Sequence, residues 1–272
     1  NLLKKYIHSD ITKIPQVFIP YKEVLEVYNA GLKIPEDVTL MWCDDNFGYI
    51  RHFPDSIEKR RSGGNAVYYH VSYWGSPHDY LWLATTHPAL IYEQMRTAYS
   101  SGIQKMWILN VGDIKPSEYQ MEFFLDMAWD INKVEHKGVI EYMRCWLGRE
   151  FGVDCAHRLL PVMQEYYRLS HIRKPEHMGN TRVDKKNPSY LVVSDLPWSE
   201  KVIRERLASY DNLANEVEQI EILLPDYKRD AYFQLVKYPV QAAAQMNRKF
   251  LKAQLARHGL AEWEESDTAF DS

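Results

Sequence analysis

The sequence contains few cysteines and none of the short motifs that identify the common enzyme classes. Its 272 residues include three cysteines, which are too few and too scattered for a disulfide framework or a CxxC zinc site. A P-loop, a GxSxG nucleophile elbow and a helical HExxH zinc motif are absent from the sequence. We therefore expect neither a metal nor a cofactor.

Long apolar runs and an excess of positive charge are missing as well. No uninterrupted apolar stretch reaches the roughly 18 residues that a membrane helix needs. The net charge of −4 provides no basic footprint for nucleic acid, so we expect neither a membrane nor a nucleic acid as a partner. Aromatic residues, by contrast, make up 13% of the chain, and tyrosine is the commonest of them. Such amphipathic rings suit pockets that are apolar on one side and hydrogen-bonding on the other.

Four strand-like apolar runs alternate with helical segments in the first half of the chain. The runs cover residues 16–21, 38–43, 66–71 and 105–110. Glycine and proline signals predict helices over 22–30 and 88–102. A capping box at Ser117 and Gln120 predicts another helix. The apolar spacing predicts that the buried face of this helix consists of Met121, Phe124, Leu125 and Ala128. Repeated βα units of this kind predict a parallel α/β architecture.

Two parallel architectures fit four βα units: a doubly wound open sheet and half of a (β/α)₈ barrel. A whole barrel takes about 250 residues, whereas this region has about 135. The open sheet normally carries a glycine-rich phosphate-binding turn after its first strand, but Lys22, Glu23 and Val24 stand there instead. Half of a TIM-type barrel is therefore favoured for residues 1–135.

Strand signals end near residue 136, and the rest of the chain is predicted to be helical. Helices are expected over 138–151, 154–173, 199–224 and 226–258, with a long loop over 176–197. Helical spacing predicts a group of bundle-core residues, rather than a cofactor site, at Met163, Tyr166, Tyr167 and Leu169. We thus predict an α/β part followed by an all-α part, with a helical bundle over 136–263 and a polar tail over 264–272.

Polar and aromatic residues follow each predicted strand. In parallel α/β folds the chemistry lies just beyond the carboxyl ends of the strands. The side chains expected to meet there include Tyr21, Glu23, Asp44, Asp45, Asn46, His70, Tyr73, Trp74 and Asn110. Two carboxylates at one edge could act as general acid and general base, as in glycoside hydrolysis. The aromatic rings would stack on a sugar, and Asn46, His70 and Asn110 would bind its hydroxyl groups.

Each of these residues also has a purely structural interpretation. Glu23 could be a first-turn acid that the helix dipole favours, and Asp44 or Asp45 could be a turn residue. His70 could be a hydrogen-bonded core histidine, and the aromatic rings could simply cover the core. Because successive side chains of a strand point to opposite faces, strand phase decides whether Asp44 or Asp45 faces the site.

Longer segments resemble those of a known family. Residues 38–51, VTLMWCDDNFGYIR, and residues 63–75, GGNAVYYHVSYWG, resemble signatures of glycoside hydrolase family 115, the xylan α-1,2-glucuronidases. Residues 21–24, YKEV, and residues 107–113, WILNVGD, also match, and the order of the motifs is right. Cys43 stands where many members would have proline, and this departure leaves the polar groups in place.

The resemblance implies that this chain holds the last four strands of a catalytic (β/α)₈ barrel and the helical bundle that follows. It implies inverting removal of (4-O-methyl)glucuronic acid, α-1,2-linked to xylose, from glucuronoxylan. Motif by motif, Glu23 would be a catalytic carboxylate, Asp44 and Asn46 would line the uronic-acid site, and Tyr21 would flank the sugar. Together with strand-end placement, this makes the catalytic candidates Glu23, Asp44 and Asp45. The substrate-binding candidates are Tyr21, Asn46, His70, Tyr73, Trp74 and Asn110.

The chain begins at Asn1 without a signal peptide, and we interpret it as a piece of a longer polypeptide. The family implies periplasmic or secreted export. Because the first barrel strands would supply further groups, we expect this piece alone to be inactive. Half a barrel exposes sheet edges and an apolar face, so we expect a homo-oligomer, a dimer in the simplest case. Three alternatives stay open: a non-catalytic carbohydrate-binding module, a helical interaction protein and, more remotely, a barrel-type metal-dependent hydrolase.

Overall fold

The sheet contains four parallel strands in the order in which they occur along the chain. A computed structural model describes residues 2–75, 78–179, 181–183 and 191–261. The strands are β1 (Val17–Phe18), β2 (Thr39–Cys43), β3 (Asn65–His70) and β4 (Ile103–Asn110), and each pairs with the next. All four overlap the predicted runs, so the parallel α/β prediction for this part of the chain is confirmed.

An α-helix follows three of the four strands, and a further helix precedes β1. These helices are α1 (Leu2–Tyr6) before β1, α2 (Glu23–Asn29) after β1, α3 (Pro88–Ser100) after β3 and α4 (Glu118–Trp129) after β4. Residues 44–64, which are all described, contain no α-helix and form a single 3₁₀ turn, Glu58–Arg60. The expected second βα unit is therefore a strand and a long loop. The buried Glu58 carboxylate secures this loop to α2 by accepting a hydrogen bond of 2.7 Å from Tyr28.

Alternate residues of the central strands point to opposite faces of the sheet. On the helix-covered face, the side chains that belong to the large core are Leu40, Trp42, Val67 and Tyr69. The neighbouring residues Met41 and Ala66 are also buried and lie on the other face. Burial on both faces explains why these strands read as near-continuous apolar runs in the sequence.

The start and the buried face of α4 differ from the prediction. Ser117 ends a 3₁₀ turn and its side chain does not cap the helix. Gln120 instead donates a hydrogen bond of 2.9 Å to the hydroxyl of Tyr167 in the helical part. Leu125 is 58% exposed, and the apolar residues that α4 buries are Tyr119, Phe123, Phe124 and Met127. The prediction was wrong because α4 packs against other helices as well as the sheet, which rotates the buried stripe.

The helical part follows the predicted pattern closely. Its helices are α5 (Ile131–Lys137), α6 (Val139–Phe151), α7 (Val153–Ile172), α8 (Glu200–Glu221), α9 (Asp226–Tyr232) and α10 (Tyr238–Arg257). A π-helical turn, Phe233–Lys237, joins α9 to α10. The four residues assigned to the bundle core, 163, 166, 167 and 169, are all buried. The helices of this part and the sheet share one continuous apolar core.

Two details of the second half differ from the sequence expectation. The predicted boundary between residues 135 and 136 falls inside α5. The predicted loop over 176–197 contains a short antiparallel pair, β5 (Thr181–Val183) with β6 (Leu191–Val193). Strands of three residues are too short to show an alternating pattern, and nearby glycine, asparagine and proline concealed them. The predicted tail, 264–272, lies outside the described residues.

The three cysteines, Cys43, Cys145 and Cys155, are unpaired thiols. Within the described part of the chain, no helix is long and apolar enough to cross a membrane.

Candidate active site

The carboxyl ends of β2, β3 and β4 meet at one edge of the sheet, as parallel pairing requires. His70, the last residue of β3, pairs in register with Asn110, the last residue of β4. Asp44 directly follows β2 and reaches the same position from the other side of β3. The structure therefore brings together three of the side chains that the sequence placed at this edge. We call this edge of the sheet, with the side chains that surround His70, the rim.

Asp44 and His70 form the best-defined pair of the rim. The Oδ1 of Asp44 accepts a hydrogen bond from the backbone N–H of His70 at 2.9 Å and lies 2.6 Å from its Nδ1. The Oδ2 accepts from the backbone N–H of Gly48 at 3.0 Å. Both side chains are buried, Asp44 completely and His70 to within 7%. An anionic acceptor at Nδ1 holds the proton there and leaves Nε2 as the chemically available nitrogen.

Aromatic rings surround the imidazole of His70. The ring of Tyr21 stacks on it with centroids 6.1 Å apart, that of Tyr68 lies at 5.2 Å, and that of Tyr73 stands edge-on at 5.9 Å. The amide of Asn110 donates to the hydroxyl of Tyr68 at 2.7 Å, which links the end of β4 to the same group. The rim thus offers flat apolar faces beside hydrogen-bonding edges, the combination that suits a sugar ring.

A lysine that was not among the predicted site residues carries the positive charge of the rim. The Nζ of Lys22 donates to the hydroxyl of Tyr73 at 2.7 Å and lies about 5 Å from the ring centroids of Tyr21 and Tyr73. The hydrogen bond to Tyr73 raises the pKa of Lys22, so this ammonium stays charged at neutral pH. Its backbone has a positive φ of 51°, which is rare for a residue with a side chain and is often found at functional sites.

Asn46 lies in a turn that two tyrosines hold in place. Its φ of 70° is in the left-handed region, which asparagine tolerates better than most residues. The hydroxyl of Tyr21 donates to its side-chain Oδ1 at 2.5 Å, and the hydroxyl of Tyr80 donates to its backbone carbonyl. The amide of Asn46 is therefore oriented by a residue of the rim.

Asp45, the neighbour of Asp44, serves the turn and not the His70 pair. Its Oδ1 accepts from the backbone N–H groups of Phe47 and Tyr49 at 3.0 and 3.2 Å, and its Oδ2 accepts from Nε of Arg51 at 2.8 Å. This arrangement answers the question of strand phase geometrically, because Asp44 faces His70 and Asp45 does not.

The two remaining predicted residues are exposed. Glu23 begins α2 next to Lys22, and its carboxylate makes no hydrogen bond or ion pair within the described residues. Trp74 is 81% exposed. Beside it, Gly75 approaches Tyr73 so closely that an added Cβ would lie 2.3 Å from the Tyr73 hydroxyl. The loop after β3 thus buries Tyr73 and leaves the indole open to solvent.

A second cluster of ionisable groups, absent from the sequence-based prediction, lies beneath the rim. It comprises Lys174, Glu176 and His177, at the turn that follows α7. Burial lowers the pKa of Lys174 to about 8 and raises that of Glu176 to about 7, while their mutual attraction works against both shifts. Burial also lowers the pKa of His177 to about 4. These residues follow no predicted strand, and Arg168, His171 and Arg173 precede them, so no local signal distinguishes the three from their charged neighbours.

The buried Glu176 should make stability fall as the pH rises. Its folded pKa of about 7 lies above the ordinary value of 4.5, so its contribution is fully present below about pH 4.5 and is lost as the pH rises through 7. Relative to Glu176→Gln, the unsubstituted protein should lose on the order of 3 kcal/mol of unfolding free energy between pH 4 and pH 8. Urea unfolding of both proteins at several pH values measures this difference. Both proteins retain His177, and the attraction of Lys174 is already part of the Glu176 pKa of about 7, so parallel pH curves would contradict the expectation.

The described residues contain no group of three or more His, Cys, Asp or Glu side chains able to hold a metal ion. In parallel α/β folds ligands bind beyond the carboxyl ends of the strands, and the charged and aromatic rim lies at that edge. The positions of Tyr21, Asn46, His70, Tyr73 and Asn110 around it agree with a polar ring as the ligand.

The chain belongs to glycosyl hydrolase family 115. The model of this family matches residues 1–177. A solved structure of a family GH115 4-O-methyl-α-glucuronidase, described as specific for decorated arabinogalactans, is 64% identical to this chain and superimposes with a TM-score of 0.94. That match covers 99% of this chain and 36% of the other, so this chain spans about a third of that relative. A comparison with curated proteins found no match.

Proposed function

We propose that this chain is part of a glycosidase that removes (4-O-methyl)glucuronic acid from a polysaccharide. The observation that carries the proposal is the rim, where Asp44 orients His70 between tyrosine rings beside the ammonium of Lys22. A uronic acid needs a cation for its carboxylate and hydrogen-bonding groups for its hydroxyls, and Lys22 and His70 can provide them. Family membership and the activity of the similar solved enzyme support the same reaction.

The geometry supports different roles for the predicted carboxylates. Asp44 is committed to three N–H groups, which favours orientation and charge stabilisation of His70 over direct proton transfer. Glu23 is exposed beside Lys22 and makes no hydrogen bond or ion pair in the part of the chain that the structure describes, which suits a residue that exchanges a proton with substrate or water. An inverting mechanism requires a second carboxylate across the sugar. We propose that it comes from a part of the longer enzyme outside this chain.

The sheet supports the half-barrel interpretation. In a doubly wound sheet the strand order reverses at a switch point, whereas here β1, β2, β3 and β4 are adjacent in chain order. Such sequential parallel order is that of a (β/α)₈ barrel. We propose that the missing barrel strands pair with the outer edges of β1 and β4. The helical part of the chain then packs outside the barrel as a bundle, and the whole enzyme is exported.

The test is release of 4-O-methylglucuronic acid by the full-length protein that contains this chain, and by this chain alone. Glucuronoxylan and a glucuronic-acid-decorated arabinogalactan should be used side by side, since the resemblance points to xylan and the similar structure to arabinogalactan. We expect release by the full-length protein only. The preferred polysaccharide identifies the substrate, and no release from either would refute the proposal.

A non-catalytic carbohydrate-binding module is the second candidate, and the exposed Trp74 favours it. An exposed indole beside a polar groove can stack on a sugar without any reaction. Binding of either polysaccharide without hydrolysis by the full-length protein would establish this alternative.

The chain on its own should self-associate. Among the described residues, no strand pairs with the outer edges of β1 and β4. Apolar side chains such as Val17, Ile19 and Met106 are 38–44% exposed there. Open edges of this kind template pairing with another chain. Light scattering of the isolated 272-residue chain should show a dimer or larger species, and a monomer at all concentrations would contradict this expectation.

A further inference from the structure

The turn that follows α7 contacts the rim from the helical part of the chain. The Nζ of Lys174 lies 4.2 Å from the centroid of the Tyr80 ring and donates to the Oγ1 of Thr85 at 3.0 Å. The ring of His177 meets Tyr80 edge-on, with centroids 6.0 Å apart. Two residues of one short turn therefore hold the same tyrosine ring.

Tyr80 transmits this contact to two residues of the candidate site. Its hydroxyl donates to the backbone carbonyl of Asn46. Its backbone N–H and C=O pair with the backbone of Tyr73 at 3.0 and 2.9 Å. The ring of Tyr80 also contacts the ring of Tyr73, with centroids 6.4 Å apart. Because Asn46 binds Tyr21 through its side chain, a rotation of the Tyr80 ring would disturb both Tyr21 and Tyr73, the two rings that contact His70 from different sides.

We propose that Lys174 is a positioning residue for the rim: its ammonium holds the Tyr80 ring, and Tyr80 holds Asn46 and Tyr73 in the geometry that binds the uronic acid. The inference rests on the proposed function and adds to it a residue from the helical part. A cation over an aromatic face is attractive, and more so where water is excluded. The attraction of the Glu176 carboxylate raises the pKa of Lys174 and so works against the effect of burial.

Two substitutions test this relay in the full-length protein. Lys174→Met keeps the aliphatic stem and removes the charge, and Tyr80→Phe keeps the ring and removes the donor to Asn46. Each should lower kcat/KM for release of 4-O-methylglucuronic acid about tenfold or more, because small displacements at a site are costly. The double variant should lose no more kcat/KM than the more damaging single variant, since both substitutions break the same relay. Lys174→Arg, which retains the cation, should recover part of the rate.

Lys137→Met is the matched control, because the Nζ of Lys137 also lies over a tyrosine ring, that of Tyr142, at 5.5 Å and away from the rim. It should leave kcat/KM unchanged. Three outcomes would overturn this inference and leave the proposed function intact. They are additive losses in the double variant, an equal loss in the control, and full activity of Lys174→Met. If Lys174→Met does not fold, full activity of Tyr80→Phe would overturn it. Absence of release by the unsubstituted protein would instead refute the proposed function, and this inference with it.

Discussion

An Asp44→Asn variant of the full-length enzyme should lose about a thousandfold in kcat, by analogy with other carboxylate–histidine pairs. Both oxygens of Asp44 accept hydrogen bonds from N–H groups, so an amide NH₂ in place of either oxygen turns a donor towards a donor. His70 then loses the anion that keeps its proton on Nδ1. Leaving these buried groups unpaired should also cost about 3 kcal/mol of unfolding free energy. Release of 4-O-methylglucuronic acid and urea unfolding measure the two effects.

The neighbouring Asp45→Asn variant provides the contrast. Asp45 pairs with Arg51, whose side chain is 64% exposed, and a pair of this kind contributes under about 1 kcal/mol. We expect this variant to keep most of its kcat. Equal losses for Asp44→Asn and Asp45→Asn would mean that the structural distinction between the two carboxylates has no bearing on the reaction.

Glu23→Gln should lower kcat at least as much as Asp44→Asn does, but it should leave the free energy of unfolding unchanged. If Glu23 transfers a proton during hydrolysis, its replacement should lower kcat by about a thousandfold to ten-thousandfold. Its carboxylate is exposed and makes no hydrogen bond in the described residues, so unfolding should be unchanged. Release of 4-O-methylglucuronic acid and urea unfolding, compared with those of the unsubstituted enzyme, measure the two effects.

Glu26→Gln is the matched control for this experiment. Glu26 is an exposed acid of the same first turn of α2, so it shares the helix-dipole interaction of Glu23. Similar small losses in both variants would show that Glu23 is only a first-turn acid, which is the structural interpretation that the sequence leaves open.

The strands were predictable because parallel strands that are buried on both faces leave continuous apolar runs. Asp44, Asn46, His70 and Asn110 could be placed at one edge for the same reason, since their positions follow directly from where each run ends. The pairing of Asp44 with His70 could not be predicted, because it depends on how β2 turns into the residues after it. Strand phase alone leaves that choice open.

Lys22 and the cluster at Lys174 show a different limit. Lys22 follows a predicted strand, yet its importance comes from its position between Tyr21 and Tyr73, which lie far apart in the sequence. Lys174 reaches the rim only because the turn after α7 packs against Tyr80 and Thr85 in the loop after β3, and no local pattern encodes such a long-range contact. The buried face of α4 was misassigned for a related reason, because contacts with neighbouring helices decide which stripe is covered.

The continuous core has a consequence for motion. The sheet and the helices of the second half share one set of buried side chains, and a single residue, Asp130, separates α4 from α5 at their junction. A hinge needs a segment that can change its backbone angles without breaking packing, and this junction has no such freedom. Limited proteolysis should therefore find no cleavage point there, and the two halves should melt in one cooperative transition.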